Sequence, residues 1–120
     1  MTTGDVIRGY FERLKTKNGW ESHLADDMVF TSFTSPVKQV TGRDAYLQAT
    51  KRFYSMIVGM EVRELMIEGT KACALTRYQL QPPNGGASFA SDVAEVFSVR
   101  GGKIGSFDIY FDSAPFPKIN

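Results

Sequence analysis

The chain reads as an α+β domain whose helices cover one face of a curved sheet. Three observations carry that reading. Val6, Ile7, Tyr10, Phe11 and Leu14 recur at helical spacing near the N-terminus. A second helical pattern runs from about Arg43 to Ile57. The second half alternates apolar and polar residues with period two, punctuated by glycine-rich turns, as strands of an antiparallel meander do.

Taken in order, Asp5 to Lys17 is predicted as the first helix, capped by Thr3 or Asp5 and ended by Asn18-Gly19. Trp20 to Leu24 reads as one further helical turn, with Trp20 and Leu24 four apart and both able to face the core. Asp27 to Thr34 is a strand with Met28, Phe30 and Ser32 on one side; Ser35-Pro36 breaks it. Lys38 to Thr41 is a short edge strand, and Gly42 opens the second helix. Its apolar stripe is Ala45, Tyr46, Ala49, Phe53, Met56 and Ile57. Met60 to Glu68 and Lys71 to Gln81 are strands, the latter ended by Pro82-Pro83, and Asn84-Gly85-Gly86 signals a hairpin.

Ala87 to Asp112 then forms two long arms around Arg100-Gly101-Gly102-Lys103. Val93, Glu95, Phe97 and Val99 share one parity; on the second arm Phe107, Ile109 and Phe111 share one face. The tail from Ala114 to Asn120 holds two prolines and no periodicity, so it reads as a loop.

With 120 residues the chain is one domain, long enough to bury a core without staples. Hydrophobic residues at 42% and a net charge of +1 give no reason to expect nucleic acid or an anionic membrane as partner. No apolar run approaches a membrane span. The N-terminus lacks the basic and apolar regions of a signal peptide, and the single Cys73 cannot form an internal disulfide, so a cytoplasmic location is the default expectation.

Glu95 breaks the apolar parity of its strand. A carboxylate there costs free energy unless it is paired or protonated. One reading makes it a pocket acid or base; the other makes it a structural carboxylate bonded to the first helix. A tight hairpin centred near Gly85 would place Leu75 opposite Glu95 and Arg77 opposite Val93, so that Arg77 shares the face of Glu95 as its diagonal partner. A slip of one residue would put Tyr78 and Leu80 inside instead. Tyr10 is either a donor into the pocket or a core tyrosine. His23, the one histidine, reads as exposed rather than catalytic. Asp26-Asp27 shape the turn into the first strand, Asp108 and Asp112 face outward, and Cys73 packs as a small apolar residue. Clustered metal ligands and phosphate-binding loops are not seen in the sequence.

GYFERL in the first helix, LADDMVF entering the first strand, TGRDAY opening the second helix and AEVFSVRGGKIGSFDIYFD at the end resemble the SnoaL-like and ketosteroid-isomerase-like branch of the nuclear-transport-factor-2-like superfamily. The resemblance implies a cone: a cystatin-like half-barrel of antiparallel sheet wrapped around helices, with an internal pocket. Its members include isomerases, cyclases, hydratases, epoxide hydrolases and proteins without chemistry. It implies no cofactor and no metal, and a homodimer paired through the outer sheet face, here Ala94, Val96, Asp108 and Tyr110. Carried over singly, the helix-1 tyrosine of the isomerases falls on Tyr10, their oxyanion-hole acid on Glu95, and their general base near Ser32. Serine cannot abstract a proton unaided near neutral pH, so the resemblance to steroid isomerisation fails there. Epoxide hydrolases of the superfamily use an Arg and acid pair comparable to Arg77 with Glu95.

Two functions follow as expectations. The first is a cofactor-independent isomerase or cyclase acting on a small apolar, carbonyl-bearing molecule, with Glu95, Tyr10 and Arg77 catalytic. The second is a non-catalytic ligand-binding or accessory domain. Either way the pocket is expected to be lined by Trp20, Phe30, Ser32, Phe53, Leu75, Phe97, Phe107, Ile109 and Phe111.

Overall fold

The computed structural model describes residues 2–34 and 36–116. Helix α1 spans Thr3–Lys15 and α2 spans Arg43–Met56. The strands are β1 (Leu24–Ser32), β2 (Lys38–Thr41), β3 (Ile57–Glu68), β4 (Lys71–Leu80), β5 (Phe89–Arg100) and β6 (Lys103–Phe111). They form one unclosed sheet in the order β2-β1-β6-β5-β4-β3. The expected antiparallel sheet is therefore mixed at one seam, because β1 pairs with β6 in parallel. That pairing brings the early chain beside the last strand and completes the curved wall around the helices.

The cap of α1 differs from expectation. Thr2, rather than Thr3 or Asp5, is the capping residue: its hydroxyl accepts from Asp5 N and the Asp5 carboxylate accepts from Thr2 N, both at 3.1 Å. Val6, Ile7, Tyr10, Phe11 and Leu14 are all buried, as their spacing predicts. Trp20–His23 forms a single 3₁₀ turn, after which the chain extends at once into β1. Helix α2 is rotated from its predicted stripe. Ala45 and Ala49 are exposed, while Tyr46 and Tyr54 are the two buried residues.

Bulges curve the sheet. β1 changes register against β6 between Leu24 and Val29, where Asp26 and Asp27 project outward to Arg43 (3.0 Å) and Arg100 (2.7 Å). β3 shifts twice against β4, and β5 shifts against β6 beside Gly105. Each bulge bends its strand and increases the local twist, which wraps the sheet toward α1. The tail is described as far as Phe116; the rest of the expected loop lies outside the described residues.

The β4–β5 connection is the main correction. Asn84-Gly85-Gly86 is not a tight hairpin but part of a wide loop between Leu80 and Phe89, pinned by Gln81 to Gly86 O and Ser88. A wide loop does not fix register from its glycine. The pairing moves by one residue: Ala74 lies opposite Glu95, and Arg77 opposite Asp92. Ala72, Ala74, Thr76, Tyr78 and Leu80 therefore face inward, and Leu75 and Arg77 outward.

The β5–β6 turn is tight as predicted. Gly101 and Gly102 have φ of 60° and 77°, as a type I′ turn demands. A Cβ at Gly102 would meet nothing within 4 Å. Gly102→Ala therefore isolates the backbone cost of the left-handed conformation, and should lower stability by about 1 kcal/mol. Urea denaturation should show a lower midpoint with an unchanged slope; an unchanged midpoint would refute that account.

Candidate functional site

Between α2 and the concave face of the sheet lies a cavity of about 270 Å³. β1 contributes Phe30 and Ser32; α2 contributes Tyr46, Ala49, Thr50, Phe53 and Tyr54; β4 contributes Tyr78. Ser91, Val93 and Glu95 come from β5, and Phe107, Ile109 and Phe111 from β6. Phe116 packs on Phe89 and Phe111 with centroids 5.0 and 5.3 Å away and closes one side.

Glu95 is 2% exposed. Its two oxygens share the Tyr78 hydroxyl, at 2.9 and 3.0 Å. Burial lifts its pKa to about 7, against the lowering effect of the Thr76 and Tyr78 hydroxyls. Thr76 Oγ1 makes no hydrogen bond of ordinary length and angle, so Tyr78 is the donor that counts. A carboxyl that titrates near neutrality can give or take a proton at working pH.

Above Glu95 sits a chain of phenols. The Tyr54 hydroxyl is hydrogen-bonded to that of Tyr10 at 2.8 Å and to that of Tyr46. Burial pushes all of these tyrosines, and Tyr78, well above the usual phenol pKa, so they remain protonated. Three hydroxyls share three protons across two hydrogen bonds. One proton is thus left over. When the chain runs from Tyr10 through Tyr54 to Tyr46, that proton faces the cavity as a free donor.

Of the residues expected at the site, Glu95, Phe30, Ser32, Phe53, Phe107, Ile109 and Phe111 line the cavity. Four expected lining or donor residues do not. Tyr10 is wholly buried behind Tyr54, edge-on to Phe11, Phe97 and Phe107. Its hydroxyl is linked to the cavity by the hydrogen bond to Tyr54. Phe97 is core, its ring 4.5 Å from that of Phe107. Trp20 stacks on Tyr54 at 5.1 Å and lines a separate groove with Lys17 and Lys51, because the 3₁₀ turn places it beyond α2. Leu75 is 36% exposed on the outer face through the one-residue change of register.

The same change removes Arg77 from Glu95. Its guanidinium donates to both Asp92 oxygens at 2.7 and 2.9 Å on the outer face. His23 is half-buried rather than exposed: it tucks under α1, where a Cβ on Gly9 would come within 2.8 Å of its ring, and it does not line the cavity. Cys73 is half-buried on the outer side of β4. Among the described residues, no group of three His, Cys, Asp or Glu side chains could hold a metal ion, and no helix is long and apolar enough to cross a membrane.

Sequence reasoning missed Tyr46, Ala49, Thr50, Tyr54, Tyr78, Ser91, Val93 and Phe116 as lining groups. Tyr54 was legible in principle, being eight residues from Tyr46 and four from Thr50 on one helical face. Phe116 carried no periodic signal.

A helix-filled, curved sheet with a buried acid and phenols in its cavity defines a pocket protein of the nuclear-transport-factor-2-like fold. The family model for the SnoaL-like domain matches residues 7–107, and the chain belongs to that family. None of the curated proteins matches it. Among solved structures, an NTF2-like protein of Burkholderia thailandensis superposes with a TM-score of 0.81 at 18% identity, covering 96% of this chain and 94% of that one. A protein of Mesorhizobium loti, assigned provisionally as a SnoaL-like polyketide cyclase, gives 0.75 at 21% identity, with 92% and 99% covered. A ketosteroid-isomerase-like protein of Catenulispora acidiphila, solved with trimethylamine, gives 0.74 at 17%, with 92% and 87% covered. At these identities the likeness is one of fold.

The raised pKa of Glu95 has a thermodynamic consequence. Between about pH 4.5 and 7 the folded state holds a proton that the unfolded chain releases. Stability is therefore full below pH 4.5, falls as pH rises through that window, and is flat above it with respect to this group. The loss is on the order of 3 kcal/mol. Glu95→Gln mimics the neutral acid and should abolish the slope. Its melting temperature should match wild type at pH 5 and exceed it at pH 8. A large drop at neutral pH would mean that Glu95 is ionised and compensated in the native state.

Proposed function

We propose that the protein binds a small, apolar, carbonyl-bearing molecule in the α2–sheet cavity and moves a proton on it without a cofactor, as an isomerase or cyclase does. The observation that carries this reading is Glu95: a buried acid, near neutral in pKa, open to an apolar cavity and without a cation beside it among the described residues. The phenol chain through Tyr46 and Tyr54 supplies a donor for the carbonyl oxygen, and the low-dielectric setting strengthens that bond. Glu95 delivers and recovers the proton. Tyr10 is a positioning residue, since it fixes the Tyr54 hydroxyl. Arg77 has no part in the reaction.

A second reading keeps the ligand and drops the chemistry. Ser32, near which the family resemblance puts the isomerase base, lines the cavity but cannot take a proton from carbon. Exchange of the α-protons of cyclohex-2-enone in D₂O, followed by NMR, separates the two. The wild type should accelerate exchange, and Glu95→Gln should slow it roughly a hundredfold while still binding the enone. Binding without accelerated exchange by the wild type would establish the accessory reading.

The outer sheet face supports a further proposal, a two-fold homodimer. Leu75, Tyr110 and Phe33 are exposed there, and the Phe33 and Tyr110 rings stack at 4.8 Å. A stable pair should bury on the order of 1,200 Å² or more. Sedimentation at tens of micromolar, roughly an ordinary assay concentration, should show a dimer that Leu75→Asp dissociates. A wild-type monomer would contradict it.

A further inference from the structure

We propose that the natural ligand of this cavity carries a positively charged nitrogen, a protonated or quaternary amine seated between the aromatic lining and the Glu95 carboxylate. The inference rests on the reading that this cavity is the ligand site; it departs from that reading in making the ligand a cation rather than an uncharged apolar molecule.

The observation is a mismatch of charge. Eight of the lining side chains are aromatic, and among the described residues Glu95 is the one carboxyl that lines the cavity, with no Lys, Arg or His beside it. The groups that face Glu95 are Tyr10 from α1, Tyr46 and Tyr54 from α2, and Thr76 and Tyr78 from β4. Phe107 and Ile109 from β6 and Phe30 and Ser32 from β1 complete the wall. None is a cation. The arginine nearest in the β4–β5 ladder is occupied by Asp92 outside.

Ring faces carry negative charge density and attract a cation, most strongly where water is excluded. A carboxylate among such rings makes the cavity hostile to anions and leaves its own charge uncompensated. The empty protein meets that cost by holding a proton on Glu95. A cationic ligand meets it directly: Glu95 releases its proton to solvent, and the resulting carboxylate pairs with the ligand nitrogen. Charge and protons balance, with one proton leaving as one cation arrives. The cavity, about 270 Å³, lies at the small end of ligand pockets and suits a small amine. Binding would also turn Glu95 from a resting acid into a base held against the ligand. That supplies the acceptor which Ser32 does not.

The test uses choline and its uncharged carbon isostere 3,3-dimethylbutan-1-ol, titrated calorimetrically into the full chain at pH 6 and pH 8, with cyclohex-2-enone as a third probe. Choline should bind at least tenfold tighter than the isostere at pH 8 and roughly tenfold weaker at pH 6 than at pH 8; at pH 6, where the empty protein holds the Glu95 proton, binding should release it, detectable as a buffer-dependent enthalpy that fades at pH 8. Glu95→Gln should lose the preference for choline and keep its affinity for the enone, which also shows that the variant is folded. An isostere that binds as well as choline, or choline binding that survives Glu95→Gln, overturns the inference. If the enone binds and choline does not, the cavity remains the ligand site and the charge assignment falls. If none of the three probes binds, both fall.

Discussion

An acid buried at 2% exposure, without a cation beside it among the described residues, has to be accommodated by the whole of the structure around it. Glu95 is held by one phenol, Tyr78, whose hydroxyl bridges both carboxyl oxygens. That contact exists because β4 and β5 pair so that Thr76, Tyr78 and Leu80 face inward. Slide the strands by one residue and every side chain changes face: Tyr78 would leave, and Arg77 would enter. The acid's proton affinity, the polarity of the cavity and the location of Arg77 all follow from that single register.

The second constraint is how α1 and α2 fill the concave face. The buried face of α1 packs Tyr10 and Phe11 against Phe97, while Phe97 and Phe107 close the narrow end of the core. Phe107 also lines the cavity, which lies between α2 and the sheet. Tyr54 joins the two regions. Its ring stacks on Trp20 and its hydroxyl links Tyr10 of the core to Tyr46 of the cavity. Packing and chemistry meet in that residue, because a phenol can be buried as a ring while its oxygen still carries hydrogen bonds.

Curvature turns these faces into a container. The β1 bulge ahead of Val29, the two shifts in β3 and the shift beside Gly105 each bend a strand toward α1. The β1 bulge projects Asp26 and Asp27 outward to Arg43 and Arg100, which ties α2 and the β5–β6 turn to the rim. These exposed ion pairs add little stability of their own. The start of α2 is tied to β1 by the Gly42 N–H, which donates to Met28 O at 2.7 Å.

The sequence by itself determined the elements, their order and the fold class, because apolar periodicity and glycine turns are local signals. It also determined that Glu95 is an inward residue, since its own strand's alternation is unbroken on both sides, and that Phe30, Phe107, Ile109 and Phe111 face the same interior. Only the tertiary structure decided what Glu95 meets. The wide Gln81–Ser88 loop carries no rule that sets register, so the choice between Arg77 and Tyr78 as its neighbour was a matter of ladder pairing and core volume. The parallel β1–β6 seam, the rotation of α2 that buries Tyr54, and the place of Trp20 outside the cavity were decided in the same way. Each depends on contacts between segments far apart in the chain, and local periodicity does not encode the angle or depth at which such segments meet.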